Sequence, residues 1–269
     1  MTVRIEKDGY VWTVIHSRPE ARNGMDPQSA ADLHDAFVEF ENDPSAHAAV
    51  LWGEGGAFCA GWDLKHAATL TDPEKRKADL ESLSFPEDGG APGRGALGPT
   101  RLELSKPVIA AVEGPAVAGG MELAMWCDIR VMAETAYFGV YCRRWGITLM
   151  DGGTVRLPRL VGQGKALEIA MTGRKVPSDE CYQIGLCEKI ATEGQARTVA
   201  EAMAHEITRF PQEAVRADRA AIIATRGMPV REALEYEWTN GLEAIANEGA
   251  AGAARFSAGA GRHGDFENI

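Results

Sequence analysis

Much is missing from this chain, and each absence removes a class of protein. No run approaches the roughly 20 apolar residues that cross a bilayer. The first residues, MTVRIEKDGYVWTV, lack the apolar stretch and small-residue cleavage site of a secretory leader. The five cysteines, Cys59, Cys127, Cys142, Cys181 and Cys187, are odd in number and form no CxxC pair. A disulfide framework or zinc ribbon is therefore not expected, and a reducing, cytoplasmic setting is the default. Basic charge is also short: 28 Lys and Arg stand against 39 Asp and Glu, for a net charge of −11. That argues against broad nucleic-acid or anionic-membrane binding, although it leaves room for a local basic pocket. There is no GxxxxGK[ST] phosphate loop and no GxSxG nucleophile turn. His16, His34, His47, His66, His205 and His263 are scattered without metal-ligand spacing. GAGRHG at 259–264 matches GxGxxG by letter only, because no strand–turn–helix context surrounds it.

What is present is ordinary for a globular protein. The 269 residues are 45% hydrophobic and 25% charged, enough for one large domain or a domain with a lobe. Val3 to Lys7 and Tyr10 to His16 flank Asp8-Gly9, which predicts a hairpin. Asp26-Pro27 reads as a helix cap followed by Pro at the first helical position, with Ala30, Leu33, Phe37 and Phe40 at helical spacing. Short apolar runs at Ala48–Trp52, Val108–Val112 and Ile129–Met132 predict buried strands. Residues 84–100 are too rich in Gly and Pro for a regular element and predict a long loop. Further helices are expected at Lys165–Met171 and Ser178–Ile184, with Gly185 as C-cap, and almost throughout from Gly194 onward. Strands and helices alternate first and helices alone follow. The expectation is an α/β core over 1–193 with a helical lobe over 194–269.

Two segments carry chemistry. In AFCAGWDL, 57–64, small residues leave backbone N–H groups open to a ligand. In GPAVAGGMELAMWCD, 114–128, two glycines stand immediately before a predicted helix, whose free N–H groups and dipole favour developing negative charge. Two N–H donors from separate segments can form an oxyanion hole for a carbonyl turning into an enolate; one such donor is worth ~3 kcal/mol in the transition state. Glu122, two residues beyond Gly120, is placed to move a proton at the adjacent carbon, worth roughly 10²–10⁴ in rate. Burial would raise its pKa and the helix start would lower it, so the sequence leaves the sign open. Singly, each feature reads better as a tight turn or an exposed helix-start carboxylate. Together, in this order, they favour a site.

At this point the chain resembles the crotonase superfamily, the enoyl-CoA hydratase/isomerase enzymes. RPEARNGMD (18–26), AFCAGWDL (57–64), KPVIAAVEGPAVAGGMELAMWCDIRV (106–131), AYFG (136–139) and DGGTVRLPRLVG (151–162) follow the family's order and spacing. The resemblance implies an α/β spiral of repeated ββα units and a C-terminal helical lobe that covers the active site and builds homotrimers or dimers of trimers. It implies acyl-CoA thioester substrates, with coenzyme A present only as part of the substrate and no metal or other cofactor. Carried over by position, the N–H groups of Ala60 and Gly119 bind the thioester oxygen, and Ala60, Gly61, Trp62 and Asp63 line the acyl-CoA site. Glu20, Ala21 and Arg22 lie near the nucleotide end, through backbone atoms or, for Arg22, a phosphate contact.

The chain departs from the hydratase pattern at one position. Hydratases of the family resemble one another in using two glutamates; Glu122 matches the first, and counting from Phe138-Gly139 puts Cys142 at the second. A neutral thiol is a poor partner for water and resists ionising when buried. Asp151, before the Gly152-Gly153 pair, is a candidate to hold water, act as second acid or attack as a nucleophile; its bland alternative, preferred on sequence, is a helix N-cap. Arg143 and Arg144 are read first as structural or subunit ion pairs. Hydration of a 2-enoyl-CoA is the first expectation. A single-acid double-bond isomerase follows, then a CoA-thioester dehalogenase, decarboxylase or hydrolase, and last a non-catalytic acyl-CoA binder.

Overall fold

The computed structural model describes residues 2–266 and Ile269. Nine strands run in chain order: β1 (Val3–Asp8), β2 (Val11–His16), β3 (Ala48–Gly53), β4 (Val108–Val112), β5 (Pro115–Val117), β6 (Ile129–Ala133), β7 (Tyr137–Gly139), β8 (Lys175–Pro177) and β9 (Lys189–Ala191). Six form one sheet in the order β1-β2-β3-β4-β6-β9, antiparallel at the β1–β2 hairpin and parallel from there on. The other three form a small sheet, β5-β7-β8. The central strands are buried on both faces, which is why β3 and β4 read as continuous apolar runs.

Side chains alternate across the large sheet. Trp12, Val14, Ala49, Leu51, Ala110 and Val112 enter the main core with Phe37, Phe40 and Met121. Val11, Val50, Ile109, Ala111 and Val131 face the opposite way, against Ala200 and Ala204 of the helix Ala196–Thr208. The helix Pro27–Asn42 begins as expected, with Asp26 accepting from the Ser29 N–H at 2.8 Å and Pro at its first turn. It buries Ala30, Leu33, Phe37 and Phe40, and each of the larger side chains contributes roughly 1.5–3 kcal/mol of burial.

Three local expectations are corrected, and one loop is refined in its surroundings. The hairpin register pairs Asp8 with Val11, so the turn is Gly9-Tyr10, not Asp8-Gly9; Gly9 takes the left-handed conformation. Residues 114–120 hold the strand β5, and Gly119 and Gly120 are the first two residues of the helix Gly119–Trp126 instead of preceding it. The irregular stretch 84–100 forms as expected, with only a short 3-10 turn at Pro99–Arg101 at its end, while before it Asp63 and Asp72 cap the helices Leu64–Thr69 and Pro73–Glu81. The helix that begins at Gly153 is preceded by Gly152 at its cap position, and no side chain caps it.

The C-terminal region is helical as expected, with helices at Gln212–Ala224, Val230–Ala244 and Ala250–Ser257. Val230, Leu234 and Trp238, spaced by four, form an exposed stripe on the second of these. Among the described residues, no helix is long and apolar enough to cross a membrane.

Candidate active site

Residues 57–63 run as an extended thread between two partners. On one side Cys59 pairs in parallel with Ala116 of β5; on the other Trp62 pairs in parallel with Met25. In the second pairing the Met25 N–H donates to the Gly61 carbonyl at 2.7 Å and the Asp63 N–H donates to the Met25 carbonyl at 2.8 Å. Strand geometry then turns the N–H of Trp62, between those two residues, to the side away from Met25. That N–H has no hydrogen-bond acceptor among the described residues, and neither has the N–H of Gly119. Gly61 brings the two segments together. It has φ +86, and a Cβ there would lie 3.0 Å from the Gly119 nitrogen, so only glycine permits the approach.

This geometry corrects one residue. Ala60, expected to supply the first N–H donor, already donates to the Arg22 carbonyl at 3.1 Å. Its N–H belongs to the scaffold, and between Phe58 and Asp63 the N–H left unengaged among the described residues is that of Trp62. The sequence contained the residue but not the pairing, because the alternation that frees Trp62 is set by Met25, far away along the chain.

Glu122 lies in the first turn of the helix Gly119–Trp126, of which every residue but Trp126 is buried. Glu122 as a whole is 3% exposed. Oε1 accepts from the Asp151 N–H at 2.9 Å and the Gly153 N–H at 2.8 Å. Burial pushes the carboxyl up to about 7, and the nearby negative charge of Asp151 adds to the rise; the N–H groups of Gly153, Asp151 and Met150 pull the other way without cancelling it. The sign left open by the sequence is thus set by desolvation. A carboxyl near neutrality can both give and take a proton at physiological pH.

Asp151 is not the helix cap it was read as. Its carboxylate Oδ1 accepts from the Thr100 hydroxyl at 2.5 Å and the Leu97 N–H at 3.2 Å. These long-range partners win because residues 95–101 fold back over the start of the helix that holds Glu122; a Cβ on Gly119 would lie 2.6 Å from Leu97 Cδ2. Arg156 fastens the same junction, donating to the carbonyls of Asp151 and Thr100 at 2.8 Å each. Two buried carboxyls, Glu122 and Asp151, thus share one corner of the molecule.

The remaining predicted residues sort by burial. Cys142 is buried, and burial together with the charge of Glu122 holds its thiol above the ordinary range, so it is a neutral neighbour of Glu122. Arg143 donates to the Ala170 carbonyl, and Arg144 stacks 4.1 Å over the Tyr141 ring; neither makes an ion pair among the described residues. Glu20 and Arg22 are exposed and Ala21 is partly so, on the loop that carries Met25. Trp62 and Asp63 are half-buried beside it, with the Trp62 ring edge-on to His66.

Comparison with known proteins shows the family to which the chain belongs. The family model described as enoyl-CoA hydratase/isomerase matches residues 6–257. Enoyl-CoA hydratase EchA19 of Mycobacterium tuberculosis is 34% identical over 253 residues, covering 91% of this chain and 89% of that protein. Carnitinyl-CoA dehydratase of Salmonella enteritidis is 33% identical, covering 87% and 85%. Among solved structures, an enoyl-CoA hydratase from Mycobacterium tuberculosis superposes with a TM-score of 0.84 at 32% identity, covering 96% of each chain. One from Bacillus anthracis gives 0.84 at 26% identity, with 96% of each chain covered. Sequence and fold agree along almost the whole length, and the chain is an enzyme of the enoyl-CoA hydratase/isomerase family, with the crotonase fold.

Proposed function

We propose that this enzyme adds water across the double bond of a 2-enoyl-CoA thioester, using Glu122, Asp151 and the N–H groups of Trp62 and Gly119. The thioester oxygen takes both N–H bonds. Water attacks Cβ, its oxygen–carbon bond forms as the double-bond electrons move toward the thioester, and the negative charge collects on the oxygen held by the two donors. Glu122 delivers a proton to Cα. Asp151 takes the proton that water loses, in the role Cys142 cannot fill. One proton passing from Asp151 back to Glu122 resets the site, so each turnover adds one water and nothing else. Coenzyme A enters only as part of the substrate, with Ala60, Gly61, Trp62 and Asp63 along the acyl-CoA and Glu20, Ala21 and Arg22 toward its nucleotide end.

The observation that carries this reading is the buried Glu122 carboxyl, raised to about 7 beside two unengaged N–H donors. A second reading has its own support. Cys142 in the place of a second glutamate favours a 1,3-proton shift by Glu122 alone, turning a 3-enoyl-CoA into a 2-enoyl-CoA. Incubation of both thioesters in heavy water, followed by mass spectrometry, separates the two. Hydration requires a gain of one heavy-water molecule by the 2-enoyl-CoA; migration of the double bond with deuterium exchange but no such gain assigns the isomerase.

The exposed Val230, Leu234 and Trp238 stripe supports a homotrimer or a dimer of trimers, with the C-terminal helices at the contact and over the site. Sedimentation of the whole chain reads that directly.

A further inference from the structure

The Trp62 N–H serves a carbonyl only while residues 60–63 keep register with Met25, and one side chain grips both sides of that register. Arg18 Nη2 stands 3.1 Å from Asp26 Oδ2 and 3.1 Å from Asp63 Oδ2, and its Nη1 donates to the Gly24 carbonyl. Both aspartates are helix caps. Asp26 Oδ1 accepts from the Ser29 N–H at 2.8 Å, and Asp63 Oδ1 accepts from the N–H groups of Lys65 at 2.9 Å and His66 at 3.3 Å. One guanidinium therefore ties the start of the core helix Pro27–Asn42 to the start of the helix Leu64–Thr69, and the Met25–Trp62 pairing lies between the two caps.

The loop in question needs holding. Arg22 and Asn23 have φ +50 and +56, a left-handed conformation uncommon for side-chain-bearing residues. Asn23 is fully buried and anchors one end: its Oδ1 accepts from the Arg18 N–H at 2.7 Å, and its Nδ2 donates to the carbonyls of Glu54 at 2.8 Å and Ala57 at 2.7 Å. Asn23 thus fixes the loop to the front of the thread, and Arg18 fixes it to the back. Only a planar fork reaches two carboxylates and a carbonyl at once; the ammonium of lysine is a single compact charge.

We propose that Arg18 is a positioning residue for the oxyanion hole, setting through Asp63 and Asp26 where the Trp62 N–H points. The inference rests on Trp62 as a donor to the thioester oxygen and not on whether the product is hydrated or isomerised. Arg18 does not touch substrate; it acts on the transition state by holding the donor in line, where a misplacement of about 1 Å costs up to roughly 100-fold in rate.

The test uses Arg18→Gln, Arg18→Lys and Asp63→Asn in the full chain. Asp63→Asn keeps a side-chain oxygen for the helix cap and removes the ion pair, so it answers the question even if Arg18→Gln does not fold. Three quantities are read: kcat and KM on but-2-enoyl-CoA, the affinity for free CoA, and the infrared band of a saturated acyl-CoA labelled with ¹³C at the thioester carbonyl. The expected result is a kcat lower by up to roughly 100-fold in Arg18→Gln, with KM and CoA affinity little changed. The bound carbonyl band should return toward its position in solution, Arg18→Lys should recover part of the loss, and Asp63→Asn should move in the same direction as Arg18→Gln. A carbonyl band that stays in place in Arg18→Gln and Asp63→Asn overturns the proposal, as does a loss confined to KM and CoA affinity. Failure of the wild type to turn over any enoyl-CoA overturns the hydration reading instead, while the carbonyl band still decides the role of Arg18.

Discussion

Two neighbouring stretches of this chain are built on opposite plans. The helix Gly119–Trp126 with the turn at 151–153 is almost wholly buried, and its backbone packs so closely that a Cβ on Gly120 would lie 1.9 Å from the Cys59 carbonyl oxygen. From Leu64 to Arg94 no residue is buried, although the stretch includes two capped helices. In the proposed mechanism the first stretch carries the proton-transferring carboxyl and an oxyanion donor; the second leaves this corner at Asp63 and returns to it at Gly95. Chemistry that tolerates little misplacement sits on the element that cannot move. The exposed stretch is held at its two ends, by Arg18 and Asp63 on one side and by Thr100, Leu97 and Asp151 on the other.

The largest expected effect strikes the rigid side. Glu122→Gln should lower turnover of 2-enoyl-CoA by roughly 10²–10⁴ while acyl-CoA binding persists; steady-state kinetics with equilibrium binding checks this, and unchanged turnover would remove Glu122 from the chemistry. The same single methyl group should then separate the two plans. Gly120→Ala forces a Cβ onto backbone that cannot step aside and should cost about 3 kcal/mol or more. Gly93 has nothing within 4 Å of a Cβ, so Gly93→Ala should change stability by less than about 0.5 kcal/mol. Denaturant unfolding of both variants measures the contrast.

Glu122 also links stability to pH. Its carboxyl is raised in the folded protein, from 4.5 to about 7, so the folded state binds the proton more tightly than the unfolded chain. The stability this contributes is complete below about pH 4.5 and is lost as pH rises through about 7, a loss of about 3 kcal/mol. Glu122→Gln should therefore be the more stable protein at pH 8 and the less active one, and thermal unfolding across pH reads the difference. A smaller effect is expected from Asp151→Asn. Removing a nearby negative charge should lower the Glu122 pKa, moving the pH dependence of stability downward as well as slowing hydration. Cys142→Ser should change turnover least, since the neutral thiol transfers no proton in this account.

The sequence was legible where the information is local. The Asp26-Pro27 cap, the apolar spacing through Phe40 and the helix bearing Glu122 depend on residues a few positions apart; all three form, the last starting two residues earlier than expected, at Gly119. It failed where a distant partner decides. Ala60 and Trp62 look alike as candidate donors until Met25 pairs with the thread and Arg22 claims the Ala60 N–H. Asp151 before two glycines reads as a cap until Thr100 and Leu97, folded over from a Gly-rich stretch, take its carboxylate. The Glu122 pKa had no readable sign because burial and backbone donors oppose each other, and only the packed helix decides between them.

The most direct measurement is hydrogen exchange at Cα of a saturated acyl-CoA in heavy water, because exchange needs only the oxyanion hole and the base. The account predicts deuterium uptake with the wild type, its loss in Glu122→Gln and its survival in Cys142→Ser. Uptake that persists in Glu122→Gln would contradict the assignment of Glu122 as the group that moves the proton.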